Sequence, residues 1–283
     1  MTLFLLNLRN NYIVRFLLFP YIKLKKRLAL RKYQKSEDSE YIKGLKNKYD
    51  GSRCFIIGNG PSLSKEDLDL LINEKTFAFN RIYDMYPYTE WRPDFYMMVD
   101  KNLLNILKKY IKSLSDSDIF INDKKMVEKF RKLVNIHQIV LSGEFFIKKE
   151  KMIINKVNED VFLNFSVTHT VVLSAMEFAF FMGFKEIYLL GVDCNFSCTI
   201  DMEGNKKIDD EVISHFEAMK DKNKYPAYKE AMIICFQKFK DYADAHDIKI
   251  YNATKGGKLE VFPRVKLDTV LSKSCEDGLK NEN

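Results

Sequence analysis

The sequence predicts an α/β fold in which a mostly parallel sheet carries helices on both faces and an inserted, lid-like segment. Short runs rich in Val, Ile, Phe and Tyr alternate along the chain with longer segments of helical period. The short runs are apolar almost throughout, which is typical of strands buried on both faces. This alternation indicates a Rossmann-like architecture. The 283 residues are 46% hydrophobic and 30% charged, as expected of a globular protein with a sizeable core.

Local signals place seven strands, five helices and a lid. The strands are predicted at 53–58, 76–80, 94–100, 118–122, 138–142, 186–193 and 248–254. The helices are predicted at 64–73, 102–113, 123–133, 169–182 and 226–246. The first strand ends in a glycine, and the first helix begins with Ser64 as N-cap and acids in its first turn. The segment 194–225 is polar, long and poor in either signal, which indicates a functional lid.

Positive charge is concentrated at the N-terminus. Residues 1–36 contain nine Lys or Arg and no Asp or Glu, which leaves 37 basic against 39 acidic residues in the remainder. The body is therefore nearly neutral, and its charge gives no reason to expect a nucleic acid as partner. We expect a basic amphipathic arm and linker at 1–45, a Rossmann-like nucleotide-binding and catalytic domain at 46–265, and a polar tail at 266–283.

The N-terminal arm has the composition of a segment that lies on a membrane. Its apolar run at 12–22 is interrupted by Arg15 and Pro20 and is too short to span a bilayer. A signal peptide is disfavoured because the charges follow the apolar run and a small-residue cleavage site is missing. We therefore expect a cytoplasmic protein in peripheral contact with the inner membrane face through residues 1–35. Packing of the arm on the body or on a second subunit is the alternative, and the oligomeric state stays open.

Glycine or polar residues directly follow the predicted strands. Ligands of such sheets bind beyond the carboxyl ends of the strands. The candidates for a nucleotide site are therefore Gly58, Asn59, Gly60, Pro61, Ser62, Asn80, Asp100 and Asp193. The loop at 58–62 opens a helix, whose free N–H groups favour an anion, so it predicts a phosphate-bearing ligand. It has neither the dinucleotide fingerprint nor a P-loop, and a tight strand-to-helix turn is the alternative.

Metal ligation is not predicted. The histidines show no pair with ligand spacing, and Cys194 and Cys198 lack a second pair to complete a zinc site. His137 and His246 are expected at element ends on the surface, whereas His215 lies within the predicted lid. Unpaired cysteines are also what a reducing cytoplasm favours.

Four motifs in this order resemble one group of families. They are IIGNGPSL at 56–63, FAFNRIY at 77–83, GFKEIYLLGVD at 183–193 and SHF at 214–216. Together they resemble the bacterial sialyltransferases of glycosyltransferase family 42 and the MptE-like proteins, which are named after an archaeal 6-hydroxymethylpterin diphosphokinase. The related motility accessory factors share a similar core. The likeness extends over roughly residues 52–265 and implies a Rossmann-like fold.

The resemblance to the sialyltransferases implies roles for five residues. Asn59 and Asn80 match asparagines that contact the CMP part of the donor, and Thr170 matches a threonine that contacts the nucleotide. His215 matches the histidine that serves as general base. Asp100 stands where that family has an asparagine close to the reacting centre.

Three features separate this sequence from the sialyltransferases. The tyrosines that follow the GVD strand there are missing, Thr168 stands in place of an arginine, and YNATKGGKLEVFPR at 251–264 looks more like the MptE-like proteins. Asp193, which ends that strand, has two open roles. It bonds either a ribose or acceptor hydroxyl, or the backbone amides of the neighbouring turn.

The expected function is glycosyl transfer. A sugar, with a sialic-acid-like nonulosonate on a CMP donor as one candidate, would move onto a surface-polysaccharide (capsule or lipopolysaccharide) or lipid-linked acceptor. The nucleotide sugar is then a co-substrate, and no resident cofactor is needed. One alternative is an MptE-like diphosphokinase that uses ATP and Mg²⁺ held by Asp100 and Asp193. The other is a non-catalytic polysaccharide-assembly protein.

Overall fold

A seven-stranded parallel sheet forms the centre of the molecule. The computed structural model describes residues 21, 24–25, 27–100, 103–141, 156–166, 169–215 and 226–272. The sheet strands are β1 (Arg53–Ile57), β2 (Thr76–Phe79), β3 (Phe95–Met98), β4 (Asp118–Ile121), β5 (Ile136–Gln138), β6 (Glu186–Leu190) and β9 (Lys249–Asn252). Their spatial order is β5-β4-β3-β2-β1-β6-β9, and every neighbouring pair is parallel. A separate antiparallel hairpin joins β7 (Cys198–Ile200) to β8 (Lys206–Ile208).

Helices cover both faces of the sheet. They are α1 (27–33), α2 (Glu37–Gly44), α3 (Lys65–Asp69), α4 (Leu104–Tyr110), α5 (Lys124–Phe130), α6 (Val171–Phe181), α7 (Lys229–Ala245) and α8 (267–272). Two short 3-10 turns lie at Ile82–Met85 and Ile111–Leu114. Within the described ranges, every helix is too short or too polar to cross a bilayer.

Alternate residues of β1 pack into two separate hydrophobic cores, one on each face of the sheet. Cys54 and Ile56 belong to a buried cluster with residues of α2, α6 and α7, whereas Phe55 and Ile57 belong to a cluster with residues of α3, α4, α5 and α8. Successive side chains of a strand point to opposite faces, so a strand without polar positions must be covered twice. The predicted α/β fold with helices on both faces is confirmed.

The order of the strands creates one reversal of direction. From β1 the chain moves outward through β2, β3, β4 and β5, and it then returns to place β6 on the other side of β1. The loops that leave β1 and β6 therefore diverge to opposite sides. A crevice opens between such loops at the carboxyl ends of the strands, which is where ligands of open α/β sheets bind.

The fifth strand lies earlier in the chain than predicted. The strand begins two residues and ends four residues before the predicted 138–142, because β4 ends at Ile121 opposite Gln138 and gives later residues no strand to pair with. Leu141 instead makes an isolated bridge to Phe165. His137 on β5 is buried rather than on the surface, and its ring stacks on Tyr41 at 3.7 Å.

The segment before residue 46, predicted as a charged linker, contains a helix that belongs to the core. Ser36 caps α2, and Ile42 and Leu45 are buried against the sheet. Arg131 on α5 donates two hydrogen bonds to the buried Asp38 carboxylate, at 2.7 and 2.8 Å. Charge composition concealed this helix because only one of its faces is apolar. The folded unit therefore begins earlier than the predicted domain boundary.

The predicted polar tail also contains a helix. Residues 267–272 form α8, and Leu267 and Val270 are buried in the core cluster that includes α3 and α4. Residues 273–283, the rest of this tail, lie outside the described residues, as do residues 1–20 of the arm.

A buried carboxyl group on α6 holds the segment 156–166. Glu177 accepts hydrogen bonds from the backbone N–H of Asn158 at 2.7 Å, and from the N–H and hydroxyl of Ser166 at 2.9 and 2.6 Å. Burial raises the pKa of Glu177 to about 7, although these hydrogen bonds oppose the rise. A titrating group in this largely apolar helix was not anticipated from sequence.

We expect Glu177 to make stability depend on pH. Because its pKa is higher in the folded than in the unfolded state, its contribution is full below about pH 4.5 and is lost as pH rises through about 7. A shift of this size corresponds to about 3 kcal/mol between pH 5 and pH 8. Urea unfolding should show this fall in the wild type and not in Glu177→Gln. Glu159→Gln, at an exposed position, should keep the wild-type slope, and equal slopes for all three proteins would refute the assignment.

Candidate functional site

The loops that follow β1 and β6 are joined at their bases. The N–H of Gly58 donates to the carbonyl of Leu190 at 2.7 Å, and the N–H of Gly60 donates to the carbonyl of Gly191 at 2.8 Å. The parallel pairing of β1 with β6 thus continues past the ends of both strands. The floor of the predicted crevice is closed by protein hydrogen bonds.

Asp193 lies directly against the loop after β1. It is only 7% exposed, and its Oδ2 accepts a hydrogen bond from the Ser62 hydroxyl at 2.7 Å. A Cβ atom on Gly60 would lie 1.7 Å from the same oxygen, so the close approach requires glycine. Burial raises the pKa of Asp193, whereas the hydrogen bonds from the hydroxyl and backbone of Ser62 act in the opposite direction. Two roles were left open for Asp193. The structure shows its carboxylate accepting hydrogen bonds from Ser62 in the neighbouring turn.

These bonds leave little of the loop available to a phosphate. The N–H groups of Gly58 and Gly60 are used by β6, and proline at position 61 has none. At the start of α3, Ser64 and Asp67 form a reciprocal capping box that occupies N–H groups of the first turn. The loop is therefore a tight strand-to-helix turn, the alternative that the sequence left open. Contact of Pro61 or Ser62 with a ligand stays a prediction.

Two asparagines stand at the ends of the adjacent strands β1 and β2. Asn59 donates from Nδ2 to the carbonyl of Phe79 at 3.1 Å. A carbonyl only accepts, so this bond fixes the amide orientation and leaves Oδ1 as the group to be satisfied. The Oδ1 atoms of Asn59 and Asn80 are buried and have no hydrogen-bond partner among the described residues. Unsatisfied acceptors of this kind call for a donor from a ligand or water, reached by a small movement of the loops.

The first turn of α6 faces the same edge of the sheet. Thr170 is the N-cap residue, and its hydroxyl accepts from the N–H of Val172 at 3.4 Å. His169 lies beside Tyr228, the residue before α7, with ring centroids 5.4 Å apart. The starts of α6 and α7 are therefore neighbours at the carboxyl end of the sheet, where Thr170 was predicted to contact a nucleotide.

The predicted lid contains the β7–β8 hairpin and folds back on its own start. The N–H of Ile200 donates to Ala227 and the N–H of Ala227 donates to Cys198, both at 2.9 Å, which ties the hairpin to the start of α7. The hydroxyl of Ser214 accepts from the N–H of Ser197 at 2.7 Å. His215, which is exposed, directly follows this contact in the chain. Residues 216–225 of the lid lie outside the described residues.

Asp100 is not brought together with Asp193. It follows β3, and the order β3-β2-β1-β6 puts three strand spacings, about 14 Å, between the two strand ends. Two carboxylates that share one Mg²⁺ must each approach it to roughly 2 Å. The described residues also contain no group of three or more His, Cys, Asp or Glu side chains that could hold a metal ion. The pair Asp100 and Asp193 therefore does not fit the magnesium site that the diphosphokinase alternative requires.

A third loop, which the sequence analysis did not assign to the site, lies against Asp193. After β9, Gly257 has a positive φ of 76°, and a Cβ there would lie 2.9 Å from the Cα and carbonyl oxygen of Asp193. The N–H of Lys258 donates to that carbonyl at 2.6 Å, and the hydroxyl of Thr254 accepts from the N–H of Val192 at 3.1 Å. The sequence signals were the glycine pair shortly after a strand and the likeness of residues 251–264 to the MptE-like proteins.

Comparison with known proteins places the chain in a family. The MptE-like model, described as 6-hydroxymethylpterin diphosphokinase MptE-like, matches residues 29–199. The MAf glycosyltransferase from Magnetospirillum magneticum AMB-1 is similar with 14% identity and a TM-score of 0.49, over 86% of this chain and 41% of that one. The chain thus spans about two-fifths of that protein's length.

A second solved structure is similar over most of both chains. The sialyltransferase CstII from Campylobacter jejuni, solved with the substrate analogue CMP-3FNeuAc, has 18% identity and a TM-score of 0.44, over 76% of this chain and 86% of that one. Curated protein sequences gave no match. The family model covers more than half of the chain, and the protein therefore belongs to the MptE-like family.

Proposed function

We propose that this protein is a glycosyltransferase that moves a sugar from a nucleotide donor onto a surface-polysaccharide or lipid-linked acceptor. The observation that carries the proposal is the pair of buried, unsatisfied amide oxygens of Asn59 and Asn80 beside the reversal point of the sheet. Both oxygens are acceptors, so they suit the amino group of a base or the hydroxyls of a ribose. Neither suits a phosphate.

The chemistry of transfer assigns His215 the role of general base. An acceptor hydroxyl must lose its proton as the sugar arrives, and an imidazole titrates near neutral pH. In the described part of the lid, Ser214 is bonded to Ser197, and His215 is the next residue in the chain. A lid also excludes water, which would otherwise hydrolyse the donor. Asp100, at the end of β3, would contact the donor from the opposite side of the crevice.

The asparagines favour a donor whose base carries an exocyclic amino group, and a cytidine donor is the form of the proposal tested first. Cytosine presents an exocyclic amino group, which is a donor for an amide oxygen, and the ribose adds two hydroxyls. A sialic-acid-like nonulosonate carried by CMP fits this requirement. The family's name points instead to diphosphate transfer from ATP. That alternative is less well supported here because Asp193 is engaged with Ser62 and is distant from Asp100.

The proposal is tested by the melting temperature of the purified protein with CMP, CDP, UDP, GDP or ATP, each with and without Mg²⁺. We expect stabilisation by cytidine nucleotides without metal, because a ligand that binds only the folded state raises the melting temperature. Asn59→Ala should lose this shift, whereas Asn73→Ala, at an exposed position, should keep it. A shift with Mg-ATP alone would support the diphosphokinase. No shift with any nucleotide would contradict both enzymatic functions.

We also propose that the N-terminal arm contacts an anionic membrane surface. Tyr21, Leu24 and Leu28 are 62%, 56% and 55% exposed. Their spacings of three and four residues place them on one face of a helix. Exposed basic residues, Lys25 and Arg31 among them, lie on the same segment. An apolar stripe with flanking positive charge is the pattern of an interfacial helix.

Replacing Leu24 and Leu28 together by serine should weaken vesicle binding by more than tenfold. Each leucine that leaves the interface forfeits about 2 kcal/mol of apolar transfer energy. Co-sedimentation with vesicles containing phosphatidylglycerol measures the effect, and vesicles of phosphatidylcholine alone should bind weakly. Leu133→Ser, at a comparably exposed leucine of the body, is the matched control. Equal sedimentation of both variants would show that this stripe is not the contact surface.

A further inference from the structure

We infer that the body of the protein docks on an anionic membrane surface through a basic face formed by α4 and α5. Seven exposed lysines on or directly after these helices define the basic face: Lys108, Lys109, Lys112, Lys124, Lys125, Lys129 and Lys132. The inference rests on the proposed membrane contact of the arm and adds the surface of the body that joins it. It does not depend on the reaction that the protein catalyses.

Both helices lie on the same face of the sheet. Leu107 of α4 and Val127 of α5 are buried in one core cluster. The helices connect β3 to β4 and β4 to β5, which are neighbouring parallel strands, and right-handed crossovers of this kind place successive helices side by side. The lysines on their outer sides therefore form one continuous surface.

This face concentrates positive charge that the rest of the body lacks. Residues 103–135 contain eight Lys or Arg against four Asp or Glu, whereas the remainder of 37–283 contains 29 basic and 35 acidic residues. The long helix α7, on the opposite face, has three lysines and three acids, and its Lys240 pairs with its Asp244. A nearly neutral body with one basic face has the charge distribution of a protein that is drawn to a negatively charged surface.

The charges of the basic face are only weakly compensated within the protein. Lys124 lies 3.4 Å from Glu128, and both side chains are more than half exposed. Among the described residues, no carboxylate lies within ion-pair distance of the other six lysines. Because an exposed ion pair contributes little in water, nearly the full charge of the face is available to an external anion.

The basic face adjoins the point at which the arm joins the body. Arg131, directly after α5, donates two hydrogen bonds to the buried Asp38 at 2.7 and 2.8 Å and lies 3.3 Å from Glu37. These contacts hold the end of α5 against the start of α2. The helix α1, with its exposed Leu28 and Arg31, ends only a few residues earlier. The arm and the basic face are therefore positioned to contact the same bilayer.

A membrane is the anionic partner that these observations favour. The adjoining arm combines exposed apolar residues with positive charge, and a partner bound by charge alone would leave those apolar residues without a role. Lysines attract anionic headgroups from the water layer, within about a Debye length of the surface. The basic face therefore adds affinity without inserting into the bilayer, and Leu133, the residue after Lys132, has no part in the contact.

This docking would also orient the candidate site. Because α4 follows β3 and α5 follows β4, both helices begin at the carboxyl end of the sheet and run back along it. With the two helices lying flat on the membrane, the strands lie along its plane, and the crevice at their carboxyl ends opens sideways along the membrane surface. A lipid-linked acceptor would then approach the site without leaving the bilayer.

Co-sedimentation of the full-length protein with vesicles containing phosphatidylglycerol tests the inference. Lys109→Gln and Lys125→Gln together remove one charge from each helix. They should weaken binding by about 25-fold, since one lysine near an anionic surface contributes about fivefold. The matched control, Lys238→Gln with Lys249→Gln, removes the same charge from α7 and β9 and should bind like the wild type. The melting temperatures should stay unchanged, because all four lysines are at least partly exposed.

Salt and the arm variant separate the two contacts. Added KCl should weaken the binding of the wild type more than that of the Lys109→Gln, Lys125→Gln variant, because screening acts on the charges that the variant lacks. Combining this variant with Leu24→Ser and Leu28→Ser should multiply the two losses, since distant sites act independently. An identical salt response in the wild type and the lysine variant would count against the basic face.

The remaining outcomes distinguish this inference from the proposals before it. A wild type that does not bind these vesicles would overturn the membrane contacts of the arm and of the basic face together, and would leave glycosyl transfer to be decided by nucleotide binding. Wild-type binding that the lysine substitutions leave unchanged would overturn this inference alone, as would an equal loss in the control variant. Binding through these lysines to heparin but not to vesicles would replace the membrane with a polyanionic glycan.

Discussion

Replacing His215 with alanine is expected to slow sugar transfer by roughly 10²- to 10⁴-fold, the usual contribution of a general base. The affinity for the nucleotide should not change, because the asparagines assigned to nucleotide binding lie on the other loops of the site. Turnover of a CMP-sugar and titration with CMP measure the two quantities separately. The acidic limb of the pH–rate profile should also disappear, since it reports protonation of the base.

The control for this variant is His246→Ala. His246 is an exposed histidine at the end of α7, and its ring bonds the carbonyl of Tyr242. It lies at the opposite end of α7 from the site, so its loss should leave turnover intact. Added imidazole should restore part of the activity of His215→Ala if the missing group is a base. Normal turnover in His215→Ala would remove this residue from the mechanism.

Gly60→Ala is expected to destabilise the protein strongly. Its Cβ would lie 1.7 Å from Oδ2 of Asp193, so either the loop after β1 or the carboxyl group must move. Overpacking costs about 1–3 kcal/mol, and separating buried Asp193 from Ser62 adds a penalty of similar size. We expect a loss of about 3–5 kcal/mol in the free energy of unfolding. Urea denaturation provides the measurement.

A matched substitution distinguishes this steric effect from a general cost of losing glycine. A Cβ added to Gly44, at the end of α2, would meet no atom within 4 Å, so Gly44→Ala should be nearly neutral. The Gly60→Ala protein should also lose its stabilisation by nucleotides, because Asn59 moves with the same loop. Equal stability of the two variants would show that the loops after β1 and β6 yield more readily than their hydrogen bonds indicate.

The elements that were predicted well are those with strong local patterns. The strands at 53–58, 76–80 and 186–193 are apolar runs bounded by glycine or polar residues, and all three appear in the sheet. The N-cap at Ser64 was predicted equally well, because a capping residue and its acidic partner are only three positions apart. The strand at 138–142 was displaced because its extent depends on where β4 ends, and β4 is distant in sequence.

The sequence predicted which residues lie along the candidate site, but it did not predict the hydrogen bonds between them. Sequence indicated that Asn59, Asn80 and Asp193 end strands, and the parallel sheet places them along one edge. It also suggested that the loop at 58–62 would present its N–H groups to phosphate. Those groups instead bond the loop after β6, about 130 residues later in the chain. A hydrogen bond between segments so far apart cannot be predicted from the local sequence pattern of either segment.

By itself, the sequence determined the alternation of strands and helices, the two-sided burial of the sheet and the end of the sheet that carries the polar residues. These follow from periodicity and from the chemistry of single residues. Only the tertiary structure shows that Asp193 accepts a hydrogen bond from Ser62 and that the loop with Gly257 and Lys258 packs against Asp193. It alone also shows that α2 belongs to the core. Each depends on packing between distant segments, which only the folded chain brings within contact distance.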